Sequence, residues 1–446
     1  MKYEVVNSYQ PLKPGVSASE TSFGISLAAL VLTFASMAVG CWLGVSSPVA
    51  MSAGMILAFL VYSVALETLF FPKTCALRQL KVRRTLSWKR VAFRETALLV
   101  TLAVIAVGFW LFPAFWNPEK TQFGSLFIET FYPFAEFWAG LLVIGGIPYF
   151  CLMDRLDPEE EDVLCRLGRA LLTFRRTVTR FELANYARIW LVKAFFLAIM
   201  HPLMMLKVRQ FMTDSWWSFA NRPSNYLFWL GYDIFYILDA TIATAGYALG
   251  FKLVNTQTRS ADPTLLGWCA ALFCYWPFCT MTMGPYFCDF LSCPTWRSLF
   301  PNCNSLAIAW GSLVILFGAL MVFSDLSFCT RFSNLTYRGL VNTGLYRLTK
   351  HPCYVFKNLH WWFMYVPFLT NSGAAAIRYT LFLLLLNGVY YLRARTEERH
   401  LSQYPEYVAY ALEMNEKSIF RWVARLLPFL KYRPPKDEEL LFRSKA

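Results

Sequence analysis

The stretch that decides the reading is GLYRLTKHPCYVFKNLHWW, from Gly344 to Trp362. Within a few residues it turns from cationic and polar to aromatic and apolar, and His351 and Pro352 stand at the change. Proline has a preset φ and no N–H, so it favours the first position of a helix. A helix beginning at Pro352 is expected to leave the amides of Cys353, Tyr354 and Val355 without intrahelical partners. Such an end attracts an anion. Arg347 and Lys350 add positive charge beside it, and His351 adds a polar ring. A carboxylate or phosphate is the expected guest.

The rest of the chain puts this stretch at the edge of a membrane. Of 446 residues, 57% are hydrophobic and only 16% charged, and the mean hydropathy is +0.40. A soluble domain carries about a quarter charged residues. The charges gather in short blocks between apolar runs long enough to cross ~30 Å of hydrocarbon. Hydropathy predicts about ten spans, near 24–45, 48–71, 95–116, 125–152, 189–206, 226–251, 265–287, 304–325, 356–371 and 375–393. All are expected to be helices, because lipid offers no partner to an open backbone group. The predicted fold class is therefore all-α, a polytopic membrane helical bundle.

The expected organisation has four parts. Residues 1–22 form a polar tail with no signal-peptide cleavage pattern. Residues 23–300 form an N-terminal transmembrane region, 301–416 a catalytic core, and 417–446 an amphipathic helix and a solvated tail. The basic segments PKTCALRQLKVRRTLSWKRVAFRE (72–95), RLGRALLTFRRTVTR (166–180) and the loop 326–350 mark the cytoplasmic side, with both termini there. The segment 153–188, opening on DPEEED, is expected to hold an amphipathic surface helix. The net charge of +14 is assigned to such loops and to anionic lipids, not to nucleic acid. Most of the 12 cysteines lie in apolar runs. Cys288, Cys293 and Cys303 fall in a non-cytoplasmic loop, where a disulfide is open. No Cys-x-x-Cys or i, i+4 His pair exists, so no metal site is expected.

A second polar set follows the last span. YYLRARTEERHL (390–401) carries Arg393, Arg395, Glu397 and Glu398. A short turn near 370–375 makes the last two spans an antiparallel hairpin, which returns Glu397 to the side of His351. One end then offers anion binding and the other offers carboxylates. A zwitterion bearing a ribose suits both, and S-adenosylmethionine is one. Basic residues and a solvated RTEER exit turn explain the same charges without a ligand. Further upstream, Glu67, Glu129, Glu136, Lys193, Asp233 and Asp239 lie at membrane depth, where charges usually face a cavity or a partner. Asp233, Tyr236 and Asp239 share one helix face. They read either as an acceptor pocket or as interhelical pairs, for instance with Lys193.

GLVNTGLYRLTKHPCYV (339–355), followed by RARTEERHLSQYPEYVAY (393–410), resembles the isoprenylcysteine carboxyl methyltransferase family and the related membrane phospholipid methyltransferases. The family pattern falls on Gly344, Tyr346, His351, Pro352 and Tyr354, then on Arg395, Glu397 and Glu398, then on Tyr407 and Tyr410. Lys350 stands where the family carries arginine. The resemblance covers about 330–415. It implies transfer of a methyl group from S-adenosylmethionine to a lipid-like acceptor entering from the bilayer. It assigns cofactor binding to Gly344, Tyr346, Lys350, His351, Pro352, Tyr354, Glu397 and Glu398. Arg395, with Glu398, is implied to orient the acceptor or lock a glutamate. Two alternatives stand beside it: a sterol-type reductase using a nicotinamide cofactor, and a non-catalytic lipid-binding or transport protein.

Overall fold

The computed structural model describes residues 19–70, 81–111, 127–213, 223–275, 278, 295–300, 305–369 and 373–435. The described α-helices of six or more residues are α1 (Phe23–Trp42), α2 (Pro48–Phe70), α3 (Trp88–Leu111), α4 (Tyr132–Leu156), α5 (Val163–Thr173), α6 (Arg180–Thr213), α7 (Pro223–Ala248), α8 (Leu265–Leu272), α9 (Ser305–Leu326), α10 (Pro352–Tyr365), α11 (Gly373–Leu401), α12 (Pro405–Lys417) and α13 (Arg421–Leu426). Among the described residues, extended structure is limited to Ser260–Ala261 and Thr336–Tyr337. The chain is an all-α polytopic membrane bundle.

Seven described helices are long and apolar enough to span a bilayer: α1, α2, α3, the helix Ile128–Leu156 that contains α4, α6, α9 and α11. The remaining three expected spans differ. The span at 226–251 is α7, long enough but diluted by Asp233, Asp239 and several tyrosines. The span at 265–287 begins as α8, which ends at Leu272, and its far end lies outside the described residues. The span at 356–371 is α10, whose 14 residues reach only about 21 Å. Val366, in left-handed geometry, ends it just before Pro367. Cys288, Cys293 and Cys303 also lie outside the described residues.

The chain divides into two compact units. One unit is residues 1–27, 215–239 and 262–446, and the other is 28–214 and 240–261. In the second unit, part of the expected basic loop is helical and buried. Arg94 and Asp154 are both fully buried, 3.2 Å apart. Arg90 lies 2.5 Å from Asp154, and Arg94 also reaches Asp162 at 3.1 Å. Asp162 caps α5 by accepting from the Cys165 amide. Helix α5 is the amphipathic helix expected within 153–188. It lies so close to α3 that a Cβ on Gly168 would meet the Phe93 carbonyl oxygen at 1.7 Å. In this unit the Lys193 ammonium lies over the Trp190 ring.

In the first unit, the front of α7 joins the C-terminal region because Phe228 packs with Trp296, Val314 and Met364. Between membrane helices, lipid removes most of the hydrophobic driving force, so packing and polar contacts supply the adhesion. Trp310 Nε1 donates to the Phe363 carbonyl at 2.8 Å, and His360 Nδ1 meets the Val314 carbonyl at 2.9 Å. Cys353 Sγ lies 3.6 Å from Asp325. These pairs run in opposite directions along α9 and α10, so the two are antiparallel. Trp362 Nε1 donates to Asn387, and Asn387 donates to Asn358 at 3.0 Å. With the contacts at His351 described below, they make α10 and α11 antiparallel too.

Candidate functional site

The site grows from a tight turn. Gly344 takes φ +57, a left-handed conformation that side chains resist, and a Cβ there would lie 2.5 Å from Ser327 Oγ. Its turn leads through Lys350 to His351, which precedes α10, and Pro352 holds the first helical position. No side chain caps this end. The expectation of three open amides is corrected at Val355, whose N–H bonds the His351 carbonyl at 3.2 Å. The turn itself is pinned from α12, where Tyr410 Oη donates to the Tyr346 carbonyl at 2.7 Å. The Tyr346 ring packs edge-on against Phe328. Burial pushes the Tyr407 and Tyr410 hydroxyls well above the ordinary tyrosine range, so both stay neutral.

Helix α11 does not stop at the membrane exit expected near residue 393. It continues to Leu401 over 29 residues, about 43 Å. RTEER is therefore helical, not an exit turn, and Glu397 and Glu398 project from adjacent positions of a rigid rod.

The two carboxylates have different surroundings. Glu398 is almost wholly buried. Its Oε1 meets Lys350 Nζ at 2.9 Å and His351 Nε2 at 3.3 Å, and its Oε2 meets Arg395 at 2.6 Å. With both oxygens engaged, Glu398 organises the motif. Arg395 is the residue that locks it. Burial lowers the Lys350 ammonium from its ordinary value, while Glu398 beside it pulls the other way.

Glu397 keeps a quarter of its side chain exposed. Its Oε1 accepts from Tyr354 Oη and lies 3.5 Å from Arg393 Nε, while its Oε2 lies 3.9 Å from His351 Nδ1. The Tyr354 ring is nearly parallel to His351, at 5.6 Å, and the Arg393 guanidinium lies over Tyr354 at 5.1 Å. Arg393 also donates to Asn334, which donates to Tyr275 Oη at 3.1 Å.

Of the expected acceptor residues, Asp239 lies near Asp325, which is close to Cys353 and Lys357. Tyr236 hydrogen-bonds Tyr232 at 3.1 Å. Tyr232 lies against His360 on α10. Asp233 lies beside Tyr232, nearly two turns away from Asp239. Two residues, Asn334 and Tyr432, escaped the sequence reading, and Arg393, named there with the second polar set, was given no role. Arg393 was legible only as an i, i+4 partner of Glu397. Asn334 gave no signal. Tyr432 was expected near a solvated tail but is 3% exposed. Its hydroxyl shares a hydrogen bond with Ser402, and Lys350 Nζ lies over its ring at 5.5 Å. Asn415 holds its backbone through both N–H and carbonyl, each at 2.9 Å. The amphipathic helix expected within 417–446, ahead of the tail, is short: the six residues of α13 are followed by the turn Pro428–Leu430. The chain folds back instead of extending as one helix.

Residues 290–413 match a family described as a protein of unknown function (DUF1295). No curated protein and no solved structure matches the chain.

Proposed function

We propose that the chain is an integral membrane methyltransferase that moves a methyl group from S-adenosylmethionine to a lipid-like acceptor. The observation that carries this reading is the partly exposed Glu397 carboxylate, oriented by Tyr354 and Arg393 and backed by the saturated Glu398. The donor set fits the cofactor's chemistry. Glu397 retains acceptor capacity for an ammonium or a ribose hydroxyl, and the His351 ring and the uncapped start of α10 offer the complementary polar groups. Bound there, S-adenosylmethionine supplies a methyl group activated by a sulfonium.

The protein's own part is positioning and exclusion of water. Arg393 and Tyr354 hold Glu397 in one orientation. Lys350 and Arg395 keep Glu398 from competing for the same ligand. Asp239, Asp325 and Lys357 together form a polar group near α10 that suits the polar end of an acceptor.

Calorimetric titration of the purified full-length protein in detergent tests the reading. Saturable binding of S-adenosylmethionine, weakened in both His351→Ala and Glu397→Ala, is expected. Binding of a nicotinamide dinucleotide with none of S-adenosylmethionine would assign the chain to the reductase alternative.

A further inference from the structure

A cleft of about 380 Å³ lies along the outer flank of Glu398, lined by Leu266, Leu392, Arg395, Arg399, Tyr432 and Arg433, among others. Three guanidiniums face this one space. Glu398 is the carboxylate in its lining, and it is already engaged by Lys350, His351 and Arg395. Arg399 donates to the Thr264 hydroxyl at 2.7 Å. Among the described residues, no carboxylate pairs with Arg399 or Arg433. The cleft therefore keeps positive charge and unused N–H donors.

Its walls are built. Arg395 is held by Glu398 and by the Lys431 carbonyl at 3.5 Å. Arg433 follows Tyr432, whose backbone is bound on both sides by Asn415. The remaining lining is apolar: Leu266 and Leu392 are 45% and 37% exposed, and Pro434 and Pro435 complete it. Guanidiniums present planar, paired donors that match phosphate oxygens. Apolar groups beside them suit the carbon part of a phosphate ester.

We propose that this cleft is a binding site for a phosphate-bearing ligand, with Arg399 and Arg433 as its principal contacts and Arg395 as its fixed third cation. The proposal rests on the cleft alone and not on the methyl-transfer reading. Two sources share this chemistry: the headgroup of an anionic phospholipid and the phosphates of a nucleotide.

The test uses full-length protein in a zwitterionic detergent, with binding of three probes measured by titration: inorganic phosphate, dihexanoyl phosphatidic acid and ADP. Saturable binding of at least one is expected. The double variant Arg399→Gln/Arg433→Gln should weaken it tenfold or more and reduce its salt dependence. Arg399→Lys/Arg433→Lys should recover only part of the loss, because charge returns without the paired donors. Arg425→Gln removes an exposed charge outside the cleft and should leave binding unchanged. Preference for phosphatidic acid over ADP assigns the headgroup, and the reverse assigns the nucleotide. The melting temperature of each variant checks the fold, and both positions are exposed. No saturable binding of any probe, an undiminished affinity in the Gln pair, or an equal loss in Arg425→Gln would overturn the proposal.

Discussion

Lys350 Nζ and Glu398 Oε1 lie 2.9 Å apart, although one precedes α10 and the other stands in the last turn of α11. Neither is more than about a tenth exposed. The pair ties the start of one helix to the end of the next, and His351 and Arg395 complete the tie.

Removing one partner of such a pair leaves a buried charge uncompensated. Glu398→Gln is expected to destabilise the folded protein by about 3–5 kcal/mol, measured by thermal unfolding in detergent. The double variant Glu398→Gln/Lys350→Met should recover part of that loss. Additive losses in the double variant would show that the two residues are not coupled.

Glu397 is expected to behave differently, because it is partly exposed and its partners are local. Glu397→Gln and Tyr354→Phe should each weaken S-adenosylmethionine binding by about 1–3 kcal/mol, the range for a lost hydrogen bond to a charged group. Melting temperatures should change little. A large stability loss with unchanged affinity would reassign Glu397 to the scaffold.

Asp239 tests the acceptor side. Asp239→Asn keeps the size of the side chain near Asp325 and removes its charge. The variant should bind S-adenosylmethionine as wild type does while transferring at least tenfold less radiolabelled methyl to the membrane lipid fraction. Wild-type transfer would remove Asp239 from the acceptor site.

Lys350 gives a pH prediction. Burial lowers its folded value, while an unfolded lysine keeps its proton to about pH 10.4. Between those values the unfolded chain binds more protons, so this group's contribution to stability rises with pH. Compared with Lys350→Met, wild type should gain stability as the pH rises toward the unfolded lysine value of about 10.4, read as the difference in unfolding midpoint. A difference that falls over that window would mean that Glu398 outweighs burial.

Orientation is testable by cysteine labelling. By the positive-inside rule, residue 85 and the 326–350 loop are expected on one side, the cytoplasmic one. Thr343 is 5% exposed and its hydroxyl accepts from the Phe23 amide, so it is a poor reporter. Thr85 and Arg347 are exposed. Cysteines introduced there should react with the same membrane-impermeant reagent from the same face. Reaction from opposite faces would break the topology.

The charge blocks and apolar runs determined the class of this protein without any coordinates. A backbone in lipid must satisfy its own hydrogen bonds, so long apolar stretches had to become helices. Pro352 fixed the start of α10 through its missing N–H, and the antiparallel return of α11 followed from a turn too short for any other path. His351, Glu397 and Glu398 were legible as neighbours for those reasons, and Tyr354 joined them only through the family resemblance.

What the tertiary structure decided was which charges are spent and which remain. Adjacent glutamates look alike in sequence. Glu398 points at Lys350, His351 and Arg395 and is saturated, while Glu397 keeps a quarter of its side chain exposed. The difference comes from groups far along the chain: Asn334 beside Arg393, and Tyr432 folded under Lys350 by Asn415. The join of α7 to the C-terminal region likewise rests on Phe228 meeting Trp296 and Met364, apolar residues with no periodicity linking them. Local pattern reports a residue's own helix face. It does not report which distant side chain arrives to neutralise or cover it, because that depends on the packing of the whole unit.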